Sequence, residues 1–229
     1  MKKIINYFTI TELIIWTSSV LLIIISFFCF KQNGYLTLIA SLIGATCLIF
    51  NAKGNPIGQL LTIVFSIIYG IISYSFRYYG EMITYVGMTA PMAVFALIAW
   101  LRNPYNGNKA EVRVHTLLKE ELIMMCILTS IVTMVFYFIL KAFNTANLIP
   151  STISVTTSFA AVYLTAKRSP YFAIAYGLND IVLIILWGLA VTEDISYMSV
   201  IICFVTFLAN DIYGYINWKR IYKRQNRSA

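Results

Sequence analysis

Apolar runs of about 17–20 residues recur along the whole chain, and at 1.5 Å of helical rise per residue each matches the ~30 Å hydrocarbon core of a bilayer. Within lipid every backbone N–H and C=O has to be paired inside the segment, so runs of this kind read as helices. The two-residue alternation of a barrel strand is absent from them. The runs predict an all-α polytopic membrane protein with eight transmembrane helices at 13–30, 35–51, 56–76, 81–101, 122–143, 148–165, 170–191 and 196–218. Composition agrees: 60% of residues are hydrophobic and 11% charged, about half the charge a soluble domain uses to cover its surface. Pro56, Pro150 and Pro170 sit at helix starts, where a missing N–H costs nothing. The first run follows Lys2 and Lys3 in the manner of a signal peptide, but it is long for one. Phe27-Phe28-Cys29-Phe30-Lys31 also lacks the small residues of a cleavage site.

The basic residues set the orientation. With the N-terminus inside, one face receives Lys2, Lys3, Lys53, Arg102, Lys109, Arg113, Lys119, Lys167, Arg168, Lys219, Arg220, Lys223, Arg224 and Arg227. The other receives Lys31, Arg77 and Lys141, with the acidic Glu81, Glu193 and Asp194, a split of 14 against 3. Both termini are therefore expected in the cytoplasm. The net charge of +8 is accounted for by topology and anionic lipid and calls for no nucleic acid. Cys29, Cys47, Cys126 and Cys203 lie inside the predicted helices without C-x-x-C spacing, so they read as small apolar residues rather than a metal site or a disulfide frame. His115 stands alone in a charged loop and is expected to be solvated. Neither a Ser–His arrangement nor a metal-ligand set can be assembled, and no cofactor is expected.

The chain also echoes itself. Ala52-Lys53-Gly54-Asn55-Pro56 is matched 114 residues later by Ala166-Lys167-Arg168-Ser169-Pro170, and Trp100 is matched 118 residues later by Trp218. Both tryptophans are expected to serve as interfacial anchors. The echoes divide the chain into an N-terminal tail and extra helix (1–34), a three-helix unit (35–101), a cytoplasmic loop and linker helix (102–147), a second three-helix unit (148–218) and a basic tail (219–229). An odd linker helix gives the two units the same orientation, a parallel repeat.

Ionisable groups within membrane helices are costly and are functional candidates by default. Asp180 and Asp211 qualify, and each follows an asparagine, Asn179 and Asn210. Counted from the basic face, Asn179 lies about 14 Å deep and Asn210 about 12 Å, so the two Asn-Asp pairs share a level on neighbouring antiparallel helices. Asn210, Tyr213, Gly214 and Asn217 share one helical face. Tyr176 precedes Asn179 by one turn, and Trp187 lies two turns beyond Asp180. Carboxamides suit a neutral polar ligand, while carboxylates and aromatic faces together suit a delocalised cation. Read as packing, the same groups bond one another and fix the helices. In the first unit the candidates are Gln59, Tyr69, Thr84 and Thr89, and the stretch corresponding to Asn210-Asp211 is Met92-Ala93.

Asn210-Asp211-Ile212-Tyr213-Gly214-Tyr215-Ile216-Asn217-Trp218-Lys219 resembles the C-terminal signature of the PnuC family of bacterial vitamin transporters. The Tyr79-Gly80-Glu81-Met82 turn and the Asn179-containing helix after Lys167-Arg168 are similar to that family too, and the likeness spans roughly 35–222. The resemblance implies a facilitator of nicotinamide riboside uptake, with thiamine or riboflavin as alternatives, in the bacterial cytoplasmic membrane. It implies a SWEET-like 3+1+3 bundle, assembly as a homotrimer, and trapping of the imported vitamin by a cytosolic riboside kinase. It assigns substrate contact to Asn179 and Asn210. Two departures stand out: Ala175 replaces a tryptophan usual one turn before the first asparagine, and Met92-Ala93 replaces a polar residue in the fourth helix. A rival reading from another class is an intramembrane aspartyl hydrolase with Asp180 and Asp211 as a dyad. Such enzymes carry a Gly-x-Gly-Asp motif, which neither aspartate has. A purely structural membrane protein is the remaining alternative.

Overall fold

The computed structural model describes residues 7–30, 34–75, 79–145, 147–192 and 194–227. Lys2, Lys3, Lys31, Arg77 and Glu193 of the charge split lie outside them. Among the described residues eight helices are long and apolar enough to cross a membrane. They are α1 (Ile10–Cys29), α2 (Tyr35–Ala52), α3 (Ile57–Ser75), α4 (Tyr79–Arg102), α5 (Lys119–Ala142), α6 (Leu148–Ala166), α7 (Phe172–Val191) and α8 (Met198–Arg227).

Local chemistry shifts several boundaries from those read in the sequence. Helix α1 begins earlier because Thr9 and Glu12 form a capping box: Glu12 N–H donates to Thr9 Oγ1 (3.3 Å) and Thr9 N–H to a Glu12 carboxylate oxygen (2.7 Å). Helix α8 runs on through the basic run to Arg227. The helix is held there by Gln225, whose Oε1 accepts from Val114 N–H (2.8 Å), and by an Arg224–Glu111 ion pair. The loop before α5 contains a hairpin of β1 (Pro104–Tyr105) and β2 (Asn108–Val112). Asn106 and Gly107 turn it, both at positive φ. His115 is not freely solvated as expected. Its Nε2 lies 2.7 Å from Glu121 Oε2, while Lys167 bonds the other oxygen of the same carboxylate at 2.8 Å.

Helix α4 changes pitch. It is α-helical over Tyr79–Met82, π-helical over Ile83–Thr89, and α-helical again over Ala90–Arg102. Pro91 has no N–H to give to the preceding turn. The backbone widens ahead of it, with Ala90 N–H and Thr89 Oγ1 both bonding carbonyls five residues back, those of Tyr85 and Thr84.

Six of the helices close a ring in the order α2, α3, α4, α6, α7, α8 and back to α2. Helix α1 packs outside against α2 and α8, and α5 packs outside against α6. Leu140 is the single buried residue described on α5; Leu128, Val132 and Phe136 of the same helix pack partly buried on the ring, while Ile123, Ile127 and Ile131 are exposed.

The echoed segments form matching joints on the ring's basic face. Gly54 (φ 65°) and Arg168 (φ 58°) both turn left-handed after α2 and α6. In each turn the next residue donates back, Asn55 N–H to Phe50 O and Ser169 N–H to Leu164 O, both at 3.0 Å. The carbonyls of Gly54 and Arg168 accept from Val112 N–H (2.9 Å) and His115 N–H (3.0 Å), so one strap of chain ties both joints. Trp100 of α4 donates from Nε1 to Thr165 O on α6, and Trp218 of α8 donates to Asn51 O on α2, both at 2.8 Å. Both indoles are 0% exposed, with ring centroids 5.5 Å apart. They are therefore core residues and not interfacial anchors. Each adds a second donor to a last-turn carbonyl, those of Asn51 and Thr165, which also accept from Gly54 N–H and Arg168 N–H at 2.9 Å.

Candidate functional site

Antiparallel packing of α7 on α8 brings the two Asn-Asp pairs to one level, as their spacing predicts, and the Asp180 and Asp211 side chains are close enough to interact electrostatically. All four residues are buried. Their surroundings differ because successive residues of a helix point about 100° apart. Asn179 Oδ1 lies within reach of three hydroxyls of α6, those of Ser154 (3.2 Å), Thr157 (2.9 Å) and Ser158 (3.1 Å). That leaves its Nδ2 donors uncommitted among the described residues. Asn210 turns the other way: its Nδ2 bonds Ser19 Oγ of α1 (2.8 Å) and Thr206 O (2.7 Å). Asn210 Oδ1 and Asp180 Oδ2 are buried without a partner among the described residues.

The face shared by Asn210, Tyr213 and Asn217 thus looks toward α1 and α2. Tyr213 Oη donates to Glu12 Oε1 (3.1 Å), and Asn217 Nδ2 donates to Ala52 O (2.9 Å). Glu12 is itself 1% exposed and paired with Lys53 at 2.9 Å. Gln59 donates to Asn51 Oδ1 (2.8 Å), and Asn51 Nδ2 reaches Cys47 Sγ (3.2 Å). Cys47 accordingly belongs to a polar chain between α2 and α3 rather than serving as an apolar filler. Tyr176 packs against Phe172 at 6.2 Å and is within electrostatic reach of Asp180 and Asp211.

Two contiguous cavities occupy the end of the ring away from the hairpin. The outer one, about 300 Å³, is walled by the start of α4, the α5–α6 loop, and the ends of α7 and α8; Trp187 lies here, against Tyr197 at 5.2 Å. The inner one, about 40 Å³, runs past Tyr69, Thr84, Tyr85 and Thr89 to Ser154 and Ser158, the hydroxyls that hold Asn179. Glu81, Thr145, Ser151 and Leu186 line both. Tyr69 and Tyr85 stack at 4.4 Å, and Phe65 and Phe207 join them across the ring. Three first-unit candidates, Tyr69, Thr84 and Thr89, therefore reach the inner cavity, whereas Gln59 does not line it.

Sequence reasoning passed over Glu81, Tyr85 and the α6 hydroxyls. The available signal for α6 was the density of Ser and Thr from Ser151 to Ser158 in an otherwise apolar helix. A fourth helix starting at Glu81 makes that residue an outer loop charge, whereas the helix begins at Tyr79 and carries it into the cavity wall.

Residues 34–220 match a family model described as nicotinamide mononucleotide transporter. The chain is similar to the nicotinamide riboside transporter PnuC of Neisseria mucosa, with 25% identity over 203 residues, 87% of this chain and 77% of the relative. It is also similar to the nicotinamide riboside transporter PnuC of Haemophilus influenzae, with 24% identity over 196 residues, 85% of this chain and 83% of the relative. Its fold is similar to that in a crystal structure of the vitamin B3 transporter PnuC, with a TM-score of 0.80 at 23% identity over 95% of this chain and 94% of that one.

Proposed function

The chain belongs to the nicotinamide mononucleotide transporter family, that of PnuC, and from that membership we propose that it imports nicotinamide riboside by facilitated diffusion. Its relatives are transporters, so the chain is not an enzyme and the hydrolase reading falls away. The observation that carries the substrate path is the pair of contiguous cavities leading past Glu81 and the tyrosines to the hydroxyls around Asn179. Nicotinamide riboside has a pyridinium ring, a carboxamide and a ribose. Three hydroxyls fix Asn179 Oδ1, so its Nδ2 is oriented to donate to the amide or ribose oxygens. Asn210 contributes Oδ1 as an acceptor from α8. Asp180 and Asp211, with Tyr176, compensate the ring charge at the bottom of the path. Tyr213 and Asn217 keep α8 seated on α1 and α2.

In this reading the ring is two parallel three-helix repeats of SWEET-like kind joined by α5, and the protein works as a homotrimer in the bacterial cytoplasmic membrane. Its basic face and both termini are cytoplasmic, and a cytosolic kinase traps the riboside. Support comes from the matched Gly54 and Arg168 turns, the reciprocal tryptophan bonds and the basic residues gathered on that side. Uptake of labelled nicotinamide riboside into proteoliposomes tests the proposal. Asn179→Ala is expected to slow uptake about tenfold, the worth of a hydrogen bond of ~1.4 kcal/mol. Collapsing a proton gradient should change nothing. Uptake of thiamine but not of the riboside would reassign the substrate. Unaltered uptake in both Asn179→Ala and Asn210→Ala would sink the site.

A further inference from the structure

Glu81 stands where the outer cavity meets the inner one and lines both. It is the one charged group among the described lining residues of either cavity, and no described residue forms an ion pair with it. An unpaired carboxylate in a membrane-embedded helix costs several kcal/mol and persists where it has a task. Its position is enforced by Gly80. A Cβ there would come within 2.5 Å of Leu140 and 2.7 Å of Thr145, so the start of α4 is pinned against the end of α5. Aromatic faces surround the same space, those of Tyr79, Trp187 and Tyr197. Trp187 is 9% exposed, and its Nε1 is buried with no acceptor among the described residues. Asn144 and Asn147 add amide groups to the wall. A carboxylate, aromatic faces and an indole N–H in want of a carbonyl together describe a site for a flat aromatic cation bearing a carboxamide.

We propose that Glu81 is the counter-charge of an outer cation-binding subsite, where a carboxamide-bearing aromatic cation is held before it enters the inner cavity. The subsite rests on the cationic substrate of the proposed function and adds a second station to its path. In the subsite the Glu81 carboxylate faces the pyridinium ring, Trp187 Nε1 donates to the carboxamide oxygen, and Tyr79 and Tyr197 cover the ring faces.

The test uses the full chain in proteoliposomes, with labelled nicotinamide riboside and its uncharged 1,4-dihydro form as paired substrates. Glu81→Gln keeps the side-chain volume and should raise KM for the cation about tenfold while leaving kcat and uptake of the dihydro form within about twofold, as expected for loss of one charge contact. Glu81→Asp should restore part of the affinity. Equal effects on both substrates, or none on the cation, would overturn the subsite. A second readout needs no transport: the ring-methylated pyridinium cation 1-methylnicotinamide should raise the melting temperature of the purified wild type and not of Glu81→Gln. Trp187→Phe should weaken that shift while sparing the one given by N-methylpyridinium, which has no carboxamide. Identical shifts in wild type and Glu81→Gln also refute the proposal. A wild type that binds 1-methylnicotinamide through Glu81 yet carries no riboside refutes the transport reading alone.

Discussion

The three-helix segments α2–α4 and α6–α8 are alike at one end and unlike in the middle. At the basic face each ends its first helix in a left-handed turn and sends an indole to a carbonyl of the other segment. Halfway across, α7 and α8 carry Asn179, Asp180, Asn210 and Asp211. At the corresponding spacings α3 and α4 carry Phe65, Ser66, Met92 and Ala93. The first segment has its own special equipment, a π-helical turn and Glu81, higher on the opposite side. The joints answer to backbone chemistry, since helix ends inside a membrane must find partners for their last carbonyls. Under the proposed function the interior answers to ligand chemistry, which a frame of two similar segments has no need to duplicate.

The joints offer the largest way to break this comparison. Trp100→Ala and Trp218→Ala each remove a fully buried indole together with its hydrogen bond to the other segment, and each should cost about 3–5 kcal/mol. Melting in detergent should show equal losses; a loss confined to one variant would mean that the joints are alike in shape but not in role. The next effect concerns α1, which braces the second segment through Tyr213 and Asn210 and the first through Lys53. Glu12→Ala strips a buried carboxylate from Lys53 and should cost about 3 kcal/mol, because the remaining charge stays largely out of water. Glu12→Gln, which keeps a hydrogen-bond acceptor for Tyr213, should cost less. Equal stability of Glu12→Ala and wild type would show that α1 is an appendage rather than part of the frame.

The interior supplies a smaller and sharper contrast. Asn179→Ala should slow riboside uptake about tenfold with melting little changed, whereas Ser66→Ala, one helical register away in the other segment, should leave uptake within about twofold. Among the described residues Ser66 Oγ bonds only Thr62 O of its own helix, so its loss removes nothing from the proposed path. Equal effects on uptake would place the substrate across both segments.

Helix number and the level of the two Asn-Asp pairs were legible because each depends on length along one axis, which rise per residue converts into depth. The directions of the side chains around that axis were harder to read. Asn210, Tyr213 and Asn217 do share a face, but only the packing of α1 decides that the face looks outward to Ser19 and Glu12. Glu81 was hidden by a boundary error of two residues, enough to turn a cavity carboxylate into a loop charge. The burial of both tryptophans was missed because an indole near a membrane border has two uses, and choosing between them requires knowing that the opposite segment leaves a carbonyl in reach. The hairpin and the helical continuation to Arg227 depend on contacts between residues more than a hundred positions apart, such as Val114 with Gln225.

The smallest effect tests the likeness of the joints at a single dihedral angle. Gly54 and Arg168 hold the same left-handed turn at φ 65° and 58°. Glycine adopts that region freely, while a residue with a Cβ is strained there by about 1 kcal/mol. A Cβ on Gly54 would also sit 3.3 Å from Val112 Cγ1, tighter than an ordinary contact. Gly54→Ala should therefore lose about 1 kcal/mol, and Arg168→Gly should gain somewhat less, since glycine also loosens the unfolded chain. Arg168 has a reason to remain despite its backbone: burial and the neighbouring Arg113 push its guanidinium below its ordinary pKa, so a charge is being held there at a cost. If Arg168→Gly is stabilised and transports normally, the two turns are interchangeable and the arginine is a relic of the sequence. If it is stabilised but slower, the second joint carries a function that the first does not, and the symmetry of the basic face is only geometric.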